Sequence, residues 1–238
     1  MSLIPRKISN FDEVLFQFIK GREGHSRTVY ADINGVPTLG VGYAMVIFDN
    51  AEKPPKWEVR GDLDTQLSQI GITLVKQDTD LLQAVADALN AKNKDQAKQL
   101  INGYTFSFGT ITENQARTLV NTAIAEDYAP ILKAKIGTAL YEELANSKEL
   151  IALLSITYNK PSDIDVPLVS ALKNSNRAEA WYEIRYESNG NNARWLADRR
   201  YSESNMFNLY DSVFNEEGAK EVMRMYTLKA VFSFQLSA

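Results

Sequence analysis

Apolar residues near the start of the chain repeat with the spacing of an amphipathic helix. They occupy positions i, i+3, i+4, i+7 and i+8, at Phe11, Val14, Leu15, Phe18 and Ile19. Asn10 followed by Glu13 forms a capping-box pattern, and Gly24 is a residue type that commonly closes a helix. The sequence therefore predicts a helix over residues 11–22.

The next two segments are rich in residues that favour β-strands, and a turn signal separates them. Arg27–Asp32 and Val36–Met45 flank Asn34-Gly35, a dipeptide typical of the type I′ turn, whose two central residues both need a positive φ. We therefore expect a β-hairpin directly after the first helix.

Side chains of a strand alternate between its two faces, which divides the second strand of this hairpin into two sets. One face carries Thr38, Gly40 and Gly42, and the other carries Leu39, Val41 and Tyr43. Glycines at alternate positions indicate that another backbone or a ligand comes close to that face. A flat sugar chain would suit such a gap.

The remainder of the chain is mostly helical in its pattern. Residues 46–77 contain Pro54-Pro55, Gly61 and Gly71, and we expect an irregular insert there with two short strands. Helical spacing begins at Asp78. Further helical segments are predicted near residues 95–102, 112–133, 138–146, 147–159, 168–173, 176–187, 190–197, 202–213 and 217–228. The sequence thus predicts an α+β fold with one helix, a small hairpin lobe and a larger helical lobe.

The amino-acid composition excludes several kinds of active site but says little more about the fold. The 238 residues include 45% hydrophobic residues and carry a net charge of −4, which disfavours binding to nucleic acid. There is no cysteine and only one histidine, so a thiolate nucleophile is excluded and a Ser-His-Asp triad or His-rich metal site is hard to build. Carboxylates are the expected catalytic groups. We expect no metal, no cofactor, no signal peptide and no membrane insertion.

Two carboxylates flank the predicted hairpin. Glu23 lies at the C-terminal end of the first helix, where the helix dipole disfavours an ionised carboxylate, whereas Asp32 lies in a polar turn. Different environments for two carboxyl groups suit the acid and charge-stabilising roles of glycoside hydrolysis. Thr38 on the second strand could orient a water molecule.

These residues resemble the catalytic signature of the phage-type lysozymes, glycoside hydrolase family 24. Asp32 follows Glu23 by nine positions and Thr38 follows it by fifteen, as in that family, and the chain continues with Gly40 and Gly42. Further similarity lies in Ile151–Asn159, in Leu168–Trp181, and in Asn192–Phe207 with Arg199-Arg200 and Glu203. Two departures are Tyr43, where the family usually has His, and Lys160-Pro161, where it usually has Gly.

The resemblance implies a single lysozyme-like domain over residues 1–238. Within it, residues 9–45 would form the catalytic helix and hairpin, 46–110 an insert, 111–212 the helical lobe and 213–238 a C-terminal extension. The implied activity is cleavage of the β-1,4 bond between N-acetylmuramic acid and N-acetylglucosamine in peptidoglycan. Glu23 would be the general acid, Asp32 the charge-stabilising carboxylate and Thr38 the water-positioning group. Substrate contacts would come from Gly40, Gly42, Tyr43, Tyr158 and Asn159.

The same interpretation makes peptidoglycan glycan strands the principal partner of a monomer. A chain made in the cytoplasm without a signal peptide would reach the cell wall by release or by another delivery system, so a delivery or immunity partner is also compatible. Phage endolysin, tail lysozyme and delivered bacterial toxin all remain open as biological settings. Two other functions also remain open: a catalytically weakened scaffold that binds a glycan or a partner, and a hydrolase of another β-1,4 glycan such as chitin.

Overall fold

The computed structural model describes residues 2–49, 52–188 and 194–210, with the single positions 220, 223 and 227. Its helices and short antiparallel strands confirm the predicted α+β fold class. The chain forms two compact units: Ile19–Ala123, called the hairpin unit below, and Met1–Phe18 with Ile124–Ala238, called the helical unit. Helix α1 (Phe11–Glu23) contains the boundary between them and confirms the first predicted helix.

The hairpin unit contains both short sheets. Strands β1 (Ser26–Ala31), β2 (Pro37–Gly40) and β3 (Tyr43–Ala44) form an antiparallel sheet in that order. Strands β4 (Val46–Asp49) and β5 (Lys56–Val59) form a second hairpin, which confirms the two short strands expected in the insert. The core of the unit includes Leu39, Val41, Met45, Leu67, Leu82, Ile111 and Leu119, each of which is almost fully buried.

Four helices complete this unit: α2 (Leu63–Ser68), α3 (Lys76–Asn90), α4 (Lys94–Asn102) and α5 (Glu113–Ala123). The expectation of irregular chain throughout the middle of the insert was wrong at α2. Leu63 and Leu67 lie one turn apart and are both buried, so packing stabilises a six-residue helix that glycines flank on either side. The insert therefore contains three helices as well as its two short strands.

The turn between β1 and β2 differs from the predicted type I′ turn. Gly35 has a φ of 84°, whereas Asn34 does not have a positive φ. The N–H of Gly35 donates to the carbonyl of Asp32 at 3.1 Å, and the N–H of Asp32 donates to the carbonyl of Val36 at 3.0 Å. Because Ala31 pairs with Pro37, the loop spans residues 32–36 rather than two residues.

The second strand of the hairpin is also shorter than predicted. It breaks at Gly40 and Gly42, whose φ values of 64° and 80° are left-handed, and the chain folds back on itself. Tyr43 then pairs with Leu39, and Ala44 pairs with Thr38. The predicted alternation over residues 36–45 is wrong because these glycines form a turn instead of continuing a strand.

The helical unit is built around α8 (Lys148–Asn159), which is buried over nearly its whole length and confirms the predicted helix there. The other helices are α6 (Ala129–Ile136), α7 (Thr138–Leu144), α9 (Val166–Lys173), α10 (Arg177–Tyr182) and α11 (Arg194–Phe207), with π-helical turns at Ile124–Tyr128 and Glu183–Glu187. The start of the predicted segment 190–197 lies outside the described residues. So do the segment 217–228 and the extension 213–238, apart from three single positions.

Residues 194–207 form one helix where the sequence predicted two segments. Arg199 and Arg200 fall between the two predicted segments, and both are buried and pair with Glu203 one turn later. The Ser155 hydroxyl of α8 donates to Glu203 at 2.7 Å, and Arg200 reaches Asp163 at 2.6 Å. A buried ionic network therefore joins α8 to α11, and its charges compensate one another.

Candidate active site

Glu23 is positioned by the end of helix α1. Gly24 has a φ of 78°, and its N–H donates to the carbonyl of Lys20 at 3.0 Å, which ends the helix at Glu23. The Glu23 side chain is half-buried at the start of the connection to β1. His25, in the same connection, is exposed.

Backbone N–H groups of the hairpin turn fix the Asp32 side chain, and the same hydrogen bonds stabilise the turn. The Oδ1 of Asp32 accepts the N–H of Asn34 at 2.8 Å and the N–H of Val36 at 2.7 Å. The insert contacts the same turn, because Lys94 at the start of α4 donates to the Asn34 side-chain oxygen at 3.0 Å. The position of this carboxylate therefore depends on both the hairpin backbone and the insert.

Thr38 lies on β2 with only 5% of its surface exposed. Its hydroxyl donates to the carbonyl of Val36 at 3.1 Å. Since the single hydroxyl proton is engaged there, the oxygen lone pairs are the part of this group that can bind another molecule. A water molecule at Thr38 would be held through its own hydrogen atom.

Tyr30 joins these groups and was not assigned a role from the sequence. It pairs directly with Thr38 across the sheet, so the two side chains share a face. Burial raises the pKa of Tyr30, and the negative charges of Glu23 and Asp32 raise it further. Both carboxylates therefore act electrostatically on its hydroxyl. The sequence did contain a sign of this role: Tyr30 lies two residues before Asp32 in the predicted strand 27–32, and alternate residues of a strand share one face.

Two of the expected substrate contacts, Gly40 and Tyr43, have protein neighbours instead. A Cβ at Gly40 would lie 3.3 Å from Ala116 Cβ and Ile111 Cδ1, so helix α5 occupies the space that the missing side chain leaves. Tyr43 is 2% exposed, and the Arg60 guanidinium lies 5.0 Å from its ring centroid. Gly42 is half-buried in the turn before β3. Gly40 and Tyr43 are thus packing positions of the hairpin unit, which corrects their assignment as substrate contacts.

Tyr158 and Asn159 belong to the helical unit, at the end of α8. The Tyr158 ring is 8% exposed and lies 4.8 Å from the ring of Tyr128, centroid to centroid. The Asn159 side-chain oxygen accepts a hydrogen bond from Arg200 at 3.3 Å. Asn159 is therefore oriented by the buried ionic network, and its contact with substrate stays a prediction.

Within the described ranges, no group of three or more His, Asp and Glu side chains is arranged to hold a metal ion. No helix among these same residues is long and apolar enough to cross a membrane. The candidate active site is the group of Glu23, Asp32, Thr38 and Tyr30. No known protein-family model matches the sequence, and no curated protein sequence matches it.

Proposed function

We propose that the protein is a glycoside hydrolase that cleaves the β-1,4 bond between N-acetylmuramic acid and N-acetylglucosamine in peptidoglycan. The observation that carries this proposal is the placement of Glu23 at the end of α1 and Asp32 in the hairpin turn, on either side of strand β1, whose Tyr30 pairs with Thr38 and feels the charge of both carboxylates. Paired carboxylates are the working groups of most glycoside hydrolases. The resemblance to the phage-type lysozymes involves these same residues and selects peptidoglycan among β-1,4 glycans.

In the proposed reaction, each group has one task. Glu23 gives its proton to the bridging oxygen while the bond between that oxygen and the sugar C1 breaks. Asp32 stabilises the positive charge that develops on the sugar, and hydrogen bonds to Oδ1 from two backbone N–H groups keep it in place. Water bound through the Thr38 oxygen adds to C1 and loses one proton, which restores the acid form of Glu23 directly or through solvent. Each product then carries one new hydroxyl.

The decisive experiment replaces Glu23 by Gln and measures clearing of purified cell walls. The amide keeps the shape of the side chain but has no acidic proton to give. We expect the rate to fall by about 10²–10⁴-fold, the usual contribution of general acid catalysis, with the melting temperature almost unchanged. Mass spectrometry of the fragments released by the unaltered protein should show N-acetylmuramic acid at the new reducing ends.

Glu13→Gln is the matched control, since it makes the same change on the same helix. Its carboxylate accepts a hydrogen bond from Gln17 at 3.0 Å, well before the candidate site in the chain. This variant should clear walls at the rate of the unaltered protein. Near-normal clearing by the Glu23→Gln variant would instead exclude Glu23 as the acid and remove the basis for the proposal.

A further inference from the structure

A cavity of about 280 Å³ lies beside strand β1 in the hairpin unit. Thr28 and Tyr30 form one wall, and the end of α4 and the loop after it form the other, with Asn102, Tyr104, Thr105 and Phe106. Small-molecule sites usually measure about 300–1,000 Å³, so this cavity lies just below that range and suits a single sugar residue. Most of its second wall comes from the insert.

The loop that forms this second wall is fixed by one buried carboxylate. Asp78 accepts the Tyr104 hydroxyl at 2.9 Å, and the N–H of Ser107 at 3.1 Å and its hydroxyl at 2.5 Å. Burial opposes ionisation, but the hydrogen bonds from Ser107 and Tyr104 hold the pKa of Asp78 below its ordinary value. The Tyr104 and Phe106 rings also meet edge to face, with centroids 5.1 Å apart. The wall is therefore formed before any ligand arrives.

The lining has the chemistry of a site for an uncharged sugar. Aromatic rings offer apolar surface to the C–H face of a pyranose, while an amide and two hydroxyls can bind its hydroxyl and acetamido groups. None of the described residues that line the cavity carries a charged side chain. N-acetylglucosamine is uncharged, whereas free N-acetylmuramic acid carries a lactyl carboxylate that has no cationic partner among these lining residues.

The location of the cavity connects it with the candidate active site. Tyr30 borders the cavity and also lies within the electric field of Glu23 and Asp32. A sugar in the cavity would therefore lie next to the site where the glycosidic bond is broken. The negative charge of Asp32 would also disfavour an anionic sugar in this position.

We propose that this cavity binds an N-acetylglucosamine residue of the glycan strand that Glu23 and Asp32 cleave. This inference rests on the proposed hydrolase function and adds a binding position supplied by the insert. It assigns Asn102 and Thr105, both exposed at the cavity, as the groups that select the sugar.

The test measures binding of triacetylchitotriose, an uncharged trimer of N-acetylglucosamine, by calorimetry. Glu23→Gln is used as the background so that the probe is not hydrolysed. Adding Asn102→Ala and Thr105→Ala should weaken binding by about tenfold, because two hydrogen bonds are lost. Adding Gln99→Ala instead, an exposed change on the same helix outside the cavity, should leave affinity unchanged.

A second measurement locates the bound sugar without relying on a substitution in the cavity. In NMR titrations of the Glu23→Gln protein, N-acetylglucosamine should shift the backbone amides of residues 102–109, and N-acetylmuramic acid should not. Equal affinity of the cavity variant and the Gln99→Ala control, no binding of the trimer, or equal shifts from both sugars would each overturn the inference.

The two proposals fail in different ways. If Glu23→Gln clears cell walls normally, the hydrolase proposal fails, and with it the inference that depends on it. If wall clearing depends on Glu23 but Asn102→Ala with Thr105→Ala changes neither trimer affinity nor kcat/KM on glycan strands, only the sugar-binding cavity is disproved.

Discussion

At the scale of single residues, Tyr30 is the group whose role depends most on its neighbours. Burial and two nearby carboxylates raise the pKa of Tyr30, so its hydroxyl keeps its proton throughout the acidic and neutral range. It can therefore donate a hydrogen bond at any acidic or neutral pH at which the proposed reaction is assayed. A tyrosinate would instead repel both carboxylates.

Replacing Tyr30 by Phe should reduce wall clearing by about tenfold while the free energy of unfolding changes by about 1 kcal/mol or less. The ring remains, and only the hydroxyl beside the two carboxylates is lost. Lysis assays and chemical denaturation measure the two effects. Tyr141→Phe is the matched control, since burial also raises the pKa of Tyr141 but this residue lies in the helical unit. A similar loss of lysis in both variants would contradict the role given to Tyr30.

The same substitution has a consequence for stability in alkali. A raised pKa means that the folded state holds the Tyr30 proton more tightly than the unfolded state. The resulting stability is fully present below a pH of about 10, the ordinary tyrosine pKa, and is lost as the pH rises through the folded-state pKa. The Tyr30→Phe variant should lose less stability over that range. A parallel decline in both proteins would show that Tyr30 titrates normally.

At the scale of elements, helix α8 shows how one buried carboxylate secures a central helix. Glu149, in its first turn, pairs with Arg6 at 2.8 Å and Arg177 at 2.7 Å, and its side chain is fully buried. Burial opposes the charge of Glu149, but hydrogen bonds from Arg6 and Arg177 hold its pKa below the ordinary value. These contacts join the start of the chain, α8 and α10.

Glu149→Gln should destabilise the protein by about 3–5 kcal/mol, because it leaves buried Arg177 without its counter-ion. The lowered pKa of Glu149 also predicts stability that is present above the ordinary glutamate pKa and lost as the pH falls through the folded-state pKa. The variant should show a weaker loss of stability in acid. Thermal melting between neutral and acidic pH measures both effects.

Glu142→Gln is the control for this experiment. Its side chain is 59% exposed and pairs with Lys133 at the surface, so its removal should cost about 1 kcal/mol or less. If Glu142→Gln and Glu149→Gln lowered the melting temperature equally, the buried network would not be a principal source of stability.

At the scale of the whole molecule, the insert 46–110 is the largest departure from the lysozyme-like pattern. Replacing residues 50–55, between β4 and β5, by a short Gly/Ser turn should leave hydrolysis of small soluble glycan fragments intact and lower activity on intact sacculi. Loop exchanges at a hairpin surface usually cost little stability. Equal losses on fragments and sacculi would instead assign this loop to the substrate cleft.

Much of this organisation was predictable because it depends on local patterns. Helix α1, the catalytic hairpin and α8 follow from hydrophobic spacing and turn residues. The turn type was not predictable from Asn34-Gly35, because the Asp32 side chain competes for the turn N–H groups. The role of Tyr30 depends on cross-strand register and on Glu23 at the end of a different element. The continuity of α11 depends on burial of Arg199 and Arg200 through distant partners.

The hairpin turn and the start of α4 are too close together to be treated as separate modules. A Cβ at Gly35 would lie 3.0 Å from the carbonyl oxygen of Lys94 and 3.2 Å from the Ala97 Cβ, and Lys94 bonds to Asn34. A transfer of the insert, residues 46–110, into another protein would therefore also have to include residues 32–36. Trimming the insert from this chain would uncover the tip that holds Asp32, so changes to the insert would also change the position of that carboxylate.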